Sequence, residues 1–256
     1  MPPARHVLGM RVDATSYPDA TQRILDSAAV GLSAYVCVAN VHMTMEAWDD
    51  AGFRHLVNDA SLVVPDGMPL VWALRALGVR TATRVRGPDL VRWVAADAAA
   101  RGVPVALYGG APDVVRDFSS VLREQNPGID VRAAISPPFR PLAPHEQQEE
   151  LRQLRDAGAR IVFVGLGCPK QERWMASHHG ELPAVMIGVG AAFDFFAGSS
   201  KEAPTWMQRA GLEWLFRVSQ EPRRLWRRYA WHNPRFLWHL VGQVLRSRLK
   251  TDPPPR

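Results

Sequence analysis

The chain has 256 residues, 47% of them hydrophobic, enough for one sizeable core or one core with an appended module. No run of about 18 apolar residues occurs, which excludes a predicted transmembrane helix, and the opening residues lack the apolar stretch of a secretory signal. The net charge of +6 is lopsided: residues 209–256 hold ten Arg, one Lys and three acids (Glu213, Glu221, Asp252), a net +8, which leaves −2 for residues 1–208. A near-neutral body with a basic tail points to an anionic partner, be it phospholipid, nucleic acid or a phosphorylated substrate. Cys37 and Cys168 stand far apart with no CxxC spacing, so they read as reduced cytosolic thiols. No paired Cys or His spacing accompanies them, and no metal site is predicted.

In chain order, short runs rich in Val, Ile and Ala predict strands at Ala34–Ala39, Ser61–Val64, Val103–Tyr108, Asp130–Ile135, Arg160–Val164 and Ala184–Ile187. They are apolar on both faces, as strands of a covered parallel sheet are. Helical patterns at Asp89–Arg101, Pro112–Gln125 and Pro144–Ala157 lie between them, two of them opened by Pro and an acid. The alternation predicts an α/β fold: a Rossmann-like, open and mostly parallel sheet with helices on both faces. From about Trp206 the pattern changes. Five of the nine Trp fall between Trp206 and Trp238, interleaved with Arg, and predict two or three amphipathic helices broken near Glu221-Pro222 and Asn233-Pro234. The expected division is a catalytic domain over residues 1–203 and a helical appendage over 204–256 with a disordered end at the Pro253–Pro255 run.

In open α/β sheets, ligands bind beyond the carboxyl ends of the strands. The loops there are unusual. Gly109-Gly110 and Gly165-x-Gly167 each follow a strand and precede a helix, where backbone N–H groups can approach a pyrophosphate; the bland alternative is an ordinary tight turn. Asp66, in Pro65-Asp66-Gly67, is a general base or the cap of the next helix, and Asp194 has the same two readings. Arg84 and Arg86 form a phosphate clamp or a solvated loop. Gln171 and Glu172 open a helix, where Glu is a routine first-turn acid. Phe139, after Pro137-Pro138, stacks on a base or packs in the core.

Taken in order, Gly165-Leu-Gly-Cys-Pro-Lys-Gln-Glu-Arg-Trp174, Gly188-Val-Gly-Ala-Ala-Phe-Asp194 and the segment from Trp206 through Trp214 to Arg217 resemble the signatures of the WecG/TagA/CpsF glycosyltransferases. Ser219 to Tyr229 continues the likeness, and Asn40, Pro65-Asp66-Gly67 and Arg84-Val85-Arg86-Gly87 fit its N-terminal pattern, so it spans roughly residues 7–230. The resemblance implies an inverting transfer of N-acetylmannosamine or a related hexose from a UDP-sugar to an undecaprenyl-diphosphate-linked sugar, without metal or cofactor. It implies a cytoplasmic enzyme peripheral to the inner face of the membrane. It assigns the base to Asp66, further site positions to Asn40, Arg84 and Gln171, and tail arginines to Arg217, Arg224 and Arg227. Two departures stand out. Val38 replaces a frequent Thr, and Glu202 replaces an Arg before Ala203-Pro204, reversing the local charge.

The same residues permit a mechanism. Asp66 takes the acceptor proton, while the Gly109-Gly110 and Gly165–Gly167 loops, Arg84 and the tail arginines stabilise the leaving diphosphate; Phe139 and Asp194 complete the UDP site. No acidic pair of the DxD kind stands ready for a bridging metal, so arginines take that place. The spacing of Arg217, Arg224 and Arg227 puts them on one face toward the body, with Arg223, Arg228 and Arg235 toward an anionic lipid surface. The competing class is a non-catalytic nucleic-acid or partner-binding protein, for which Arg interleaved with aromatics is suited. The tail's single Lys and the converging ligand loops weigh against nucleic acid, and the missing GxGxxG weighs against an NAD-type oxidoreductase. Whether the chain forms a homo-oligomer is left open.

Overall fold

The structure, a computed structural model, describes residues 2–251. The expected disordered end, with the prolines at 253–255, lies outside the described residues. The chain opens with a hairpin that the sequence reading did not foresee: β1 (Ala4–Val7) and β2 (Met10–Asp13) pair antiparallel. Their turn, Leu8-Gly9, has positive φ at both residues, 53° and 86°, as a type I′ turn requires. These strands are four residues long and carry Arg5, His6 and Arg11, so they lack the apolar signature of the others.

The body continues α1 (Tyr17–Ala29), β3 (Ala34–Ala39), α2 (Val41–Asp49), α3 (Ala51–Asp59), β4 (Leu62–Pro65), α4 (Met68–Ala76), α5 (Gly87–Arg101), β5 (Val105–Gly109) and α6 (Pro112–Gln125). It ends with β6 (Val131–Ile135), α7 (Pro144–Asp156), β7 (Ile161–Gly165), α8 (Lys170–Ser177), β8 (Val185–Gly188) and α9 (Ala192–Phe196). Side chains set the helix starts. Ser16, Asn40 and Asp50 each accept a bond from a first-turn N–H of α1, α2 and α3, and Pro88, Pro112 and Pro144 stand in first turns, where no N–H is needed.

The six long-range strands form one all-parallel sheet in the order β4-β3-β8-β7-β5-β6. Alternate residues feed two cores, one on each face. Tyr35, Cys37, Val162 and Val164 join the core that includes α2, α3, α4 and α8. Val36, Val38, Ile161 and Phe163 join the core that includes α1, α5 and α6. Burial on both sides is why these strands read as unbroken apolar runs. The edge strand β6 differs, with Arg132 and Ala134 exposed.

The segment expected to form the appendage holds α10 (Thr205–Arg209), α11 (Glu213–Gln220) and α12 (Pro222–Thr251). The break at Glu221-Pro222 is present, but the break expected at Asn233-Pro234 is not: Pro234 sits inside a continuous α12. An interior Pro removes one helix hydrogen bond and costs about 3 kcal/mol. Docking of α12 on both sides of it opposes that cost. On the N-terminal side Leu225 is buried; beyond it Phe236 is 1% exposed in the body's core, and Gln243 accepts from Leu8 N–H (2.9 Å) and donates to the His6 carbonyl (2.6 Å). Arg235, expected to face lipid, instead binds both oxygens of Asp49 on α2 at 2.9 and 2.6 Å.

Candidate active site

The loops after β3, β4, β5, β7 and β8 meet at the carboxyl edge of the sheet, and with α11 and α12 they enclose a cleft of about 500 Å³. Asp66 lies on its wall. The N-cap of α4 is Gly67, with no side-chain cap bond, so Asp66 is not the cap of that helix. Its N–H donates to the Ala39 carbonyl (2.8 Å), which ties the loop after β4 to the end of β3 and leaves the carboxylate in the cleft. Loss of solvent raises the Asp66 pKa above its ordinary value, against the pull of Arg84, and Glu213 raises it further. A carboxyl group kept out of water in this way holds its proton to higher pH than an exposed one.

Arg84 is not a solvated loop residue. Its guanidinium donates to the Asp66 carbonyl, to the Gln208 carbonyl (3.2 Å) and to Glu213 Oε2 (2.5 Å), and lies 3.7 Å from Asp66 Oδ1. It therefore braces the Asp66 loop against α11 instead of lining the cleft. Arg86 is buried and pairs with Asp89 (3.0 Å) and Glu202 (2.9 Å). Glu202, the charge reversal noted in the sequence, also pairs with Arg92, so it completes an internal ion network. Glu213 was not singled out from sequence. Burial raises its pKa, but Arg84 and Arg86 outweigh burial and hold it below its ordinary value.

Asn40 lines the cleft and caps α2, its Oδ1 accepting from Met43 N–H (3.1 Å). The Nδ2 donors have no protein acceptor among the described residues. Gln171 is 4% exposed at the cleft floor; its Oε1 accepts from Gly167 N–H (3.2 Å) and its Nε2 donates to Glu172 Oε1 (2.7 Å). Gln171 thus holds the Gly165–Gly167 loop in shape. Glu172 is not a solvated first-turn acid: it is fully buried, its Oε2 has no partner, and burial lifts its pKa to about 7.

A raised carboxyl pKa means the folded chain holds the proton more tightly than the unfolded chain. That stabilisation is complete below the ordinary glutamate range and is lost as pH rises through about 7. Glu172→Gln, a stand-in for the protonated acid, should remove the dependence. Relative to this variant, the parent should lose up to about 3 kcal/mol between pH 5 and pH 8 in urea unfolding. Parallel curves for the two proteins would show Glu172 to be neutral, or ionised, throughout.

Of the glycines assigned to the ligand loops, Gly110, Gly165 and Gly167 line the cleft, beside Gly87, Gly188 and Gly190, and Gly109 does not. Gly109 ends β5 at φ 129°, where a Cβ would meet the Gly165 backbone at 2.6 Å. It allows close approach of β5 to β7 and, unlike the other three, is not on the cleft surface. Phe139 is 89% exposed on the cleft rim, which removes the core-packing alternative. Asp194 is the third residue of α9, with no cap bond, and its carboxyl faces the cleft near Arg224 and Arg217.

Arg217 and Arg224 line the cleft as expected, but Arg227 does not; Arg228 takes its place. At 100° per residue, Arg224 and Arg228 share a face of α12, while Arg227 turns away and lies over the exposed Trp226 ring. Arg224 is bonded to Glu221 (2.7 Å). Arg217 and Arg228 have no carboxylate partner within 4.0 Å among the described residues, and Arg228 Nε is buried without a hydrogen-bond partner. Both cations stand at the cleft without a direct ion pair, and Arg217 acts on Asp66, Asp194 and Glu213 at longer range.

A second cavity, about 310 Å³, adjoins the first and shares Asn40, His42, Asp66, Glu213, Arg217 and Arg228 with it. Much of its wall is apolar, built by Met68 and Trp72 of α4, Trp214 of α11 and Tyr229, Phe236 and Leu237 of α12, with Arg84 at the side nearer Asp66. Nearby, His42 Nε2 is 3.4 Å from Glu46 Oε1, and His232 of α12 completes a group whose ligand atoms all lie within 4.8 Å of one another. Chain spacing could not reveal it, because His232 is 190 positions from His42. Cys37 and Cys168 are free thiols.

A Rossmann-like parallel sheet, with a carboxylate, glycine loops and the arginines of α11 and α12 gathered at its carboxyl edge, forms a cleft suited to an anionic ligand. Among the described residues no helix is long and apolar enough to cross a membrane. The model of the family described as Glycosyl transferase WecG/TagA/CpsF matches residues 5–250, and the chain belongs to that family. It is thus a glycosyltransferase of cell-surface polysaccharide synthesis.

Proposed function

We propose that the enzyme moves a hexose-type sugar, N-acetylmannosamine or a relative, from a UDP-sugar to a polyprenyl-diphosphate-linked sugar acceptor, with inversion at the anomeric carbon. The observation that carries this reading is the pair of cavities meeting at Asp66, Arg217 and Arg228, one lined also by Arg224 and the glycine loops, the other with a largely apolar wall. The polar cleft suits the nucleotide, with its diphosphate on the arginines and the Gly165–Gly167 loop and Phe139 at the uracil end. The apolar cavity suits the acceptor's lipid-proximal part. The acceptor hydroxyl attacks the anomeric carbon as its proton passes to Asp66. The bond from that carbon to the β-phosphate oxygen breaks, its electrons leave with UDP, and the arginines meet the charge that develops. We assign residues 204–251 to an appendage that completes the site.

The setting we infer is the inner face of the membrane. Leu237, Trp238, Val241, Leu245 and Leu249 of α12 are all more than half exposed, an apolar strip beside a basic segment, as an interfacial helix presents to anionic lipid. Arg223 remains exposed for that role, whereas Arg228 and Arg235 face the body.

UDP should raise the melting temperature of the protein and single-stranded RNA should not, and transfer should continue in EDTA. RNA binding without UDP binding would favour the nucleic-acid reading. Loss of turnover in EDTA, restored by Mg²⁺ or Mn²⁺, would show that arginines do not replace a metal.

A further inference from the structure

His42 lines both cavities, but the group it forms with Glu46 and His232 supplies no step of the transfer proposed above. His42 and Glu46 stand one turn apart on the same face of α2, and His232 meets them from α12, its ring 5.1 Å from that of His42 and nearly perpendicular to it. His232 Nδ1 is buried and has no hydrogen-bond partner. A buried ring nitrogen left unmatched in this way costs free energy unless something binds it. We propose that these three side chains bind one divalent transition-metal ion of the zinc class, which staples α12 of the appendage to α2 of the body.

The chemistry fits that class. Two imidazoles and one carboxylate are the donor set of open zinc sites, with a fourth position left to water. Ligand atoms about 2.1 Å from a tetrahedral zinc lie roughly 3.4 Å from one another. The His42–Glu46 separation of 3.4 Å already meets that value, and the widest separation, at most 4.8 Å, needs a side-chain adjustment of about an ångström. Each imidazole in its neutral form offers one ring-nitrogen lone pair to a metal. The cations that act on the group are Arg228 and Arg235 at the rings and Arg173 at Glu46; Asp49 pairs with Arg235 and Asp50 with Arg173.

The staple acts where docking is otherwise carried by Phe236, Gln243 and the Asp49–Arg235 pair, so it adds to closure without being the sole cause of it. Metal-free full-length protein titrated with ZnCl₂ in a calorimeter should bind one equivalent. Zinc should also slow amide exchange in α12. His232→Asn and Glu46→Gln, each checked for folding by circular dichroism, should weaken binding by more than about 10-fold, the range seen when even an outer-shell partner of a metal is lost. His55→Asn, at an exposed histidine elsewhere on the body, should bind as the parent does. If His232→Asn does not fold, Glu46→Gln alone decides, since Glu46 is on the surface side of the group. No saturable binding by the parent, or parent-like binding by Glu46→Gln or by folded His232→Asn, would overturn the site.

Discussion

Asp66→Asn should fold, bind UDP and turn over about 10²–10⁴-fold more slowly, the range for loss of a general base. The substitution keeps the size of the side chain and the backbone bonds at this position, namely the N–H to Ala39 and the carbonyl that accepts from Arg84. It removes the only carboxylate that both cavities share apart from Glu213. Glu213 is the informative alternative. Arg84 binds it at 2.5 Å and Arg86 lies 3.5 Å away, and these cations hold its pKa low, which makes it a poor proton acceptor. Asp66, raised by burial, is the better one. Turnover by Asp66→Asn near the parent rate would remove Asp66 from the mechanism and shift attention to Glu213.

The second large effect belongs to the arginines of the appendage. Arg224→Ala with Arg228→Ala should lower kcat/KM by about 10²–10³ or more, as removal of groups that meet developing charge does, and should weaken UDP binding. The assay uses a water-soluble acceptor analogue, so that membrane docking plays no part. Arg227→Ala is the control: its side chain lies over Trp226 outside the cleft, and it should match the parent on that analogue. Equal losses in both proteins would mean that tail charge acts at long range and not by contact.

The sheet was legible because each central strand is buried on both faces and so announces itself as an apolar run between glycine loops. The carboxyl-edge loops followed from that, and Asn40, Asp66, Gln171, Asp194, Arg217 and Arg224 do converge on one cleft. The β1-β2 hairpin was hidden, since four-residue strands with Arg and His carry no such signature. Glu172 was hidden because a first-turn Glu is usually solvated, and only the packing of α8 shows it buried. Glu213, Arg228 and His232 owe their places to contacts across more than 100 residues, which spacing along the chain does not encode. One local signal was available for Arg228: on a helix, i and i+4 share a face more closely than i and i+3, so Arg224 points to Arg228 over Arg227. Pro234 misled for the opposite reason, because tertiary docking of α12 overrides a local helix breaker.

The central claim is that the two cavities bring a UDP-sugar and a lipid-diphosphate-linked sugar together at Asp66. It is tested most directly by screening UDP-sugars for UDP release in the presence and absence of a polyprenyl-diphosphate N-acetylglucosamine acceptor. One UDP-hexose, of the N-acetylmannosamine type, should release UDP at a rate that depends on the acceptor, with the sugar recovered on the lipid in inverted configuration. UDP release that ignores the acceptor, or none with any UDP-sugar, would contradict it.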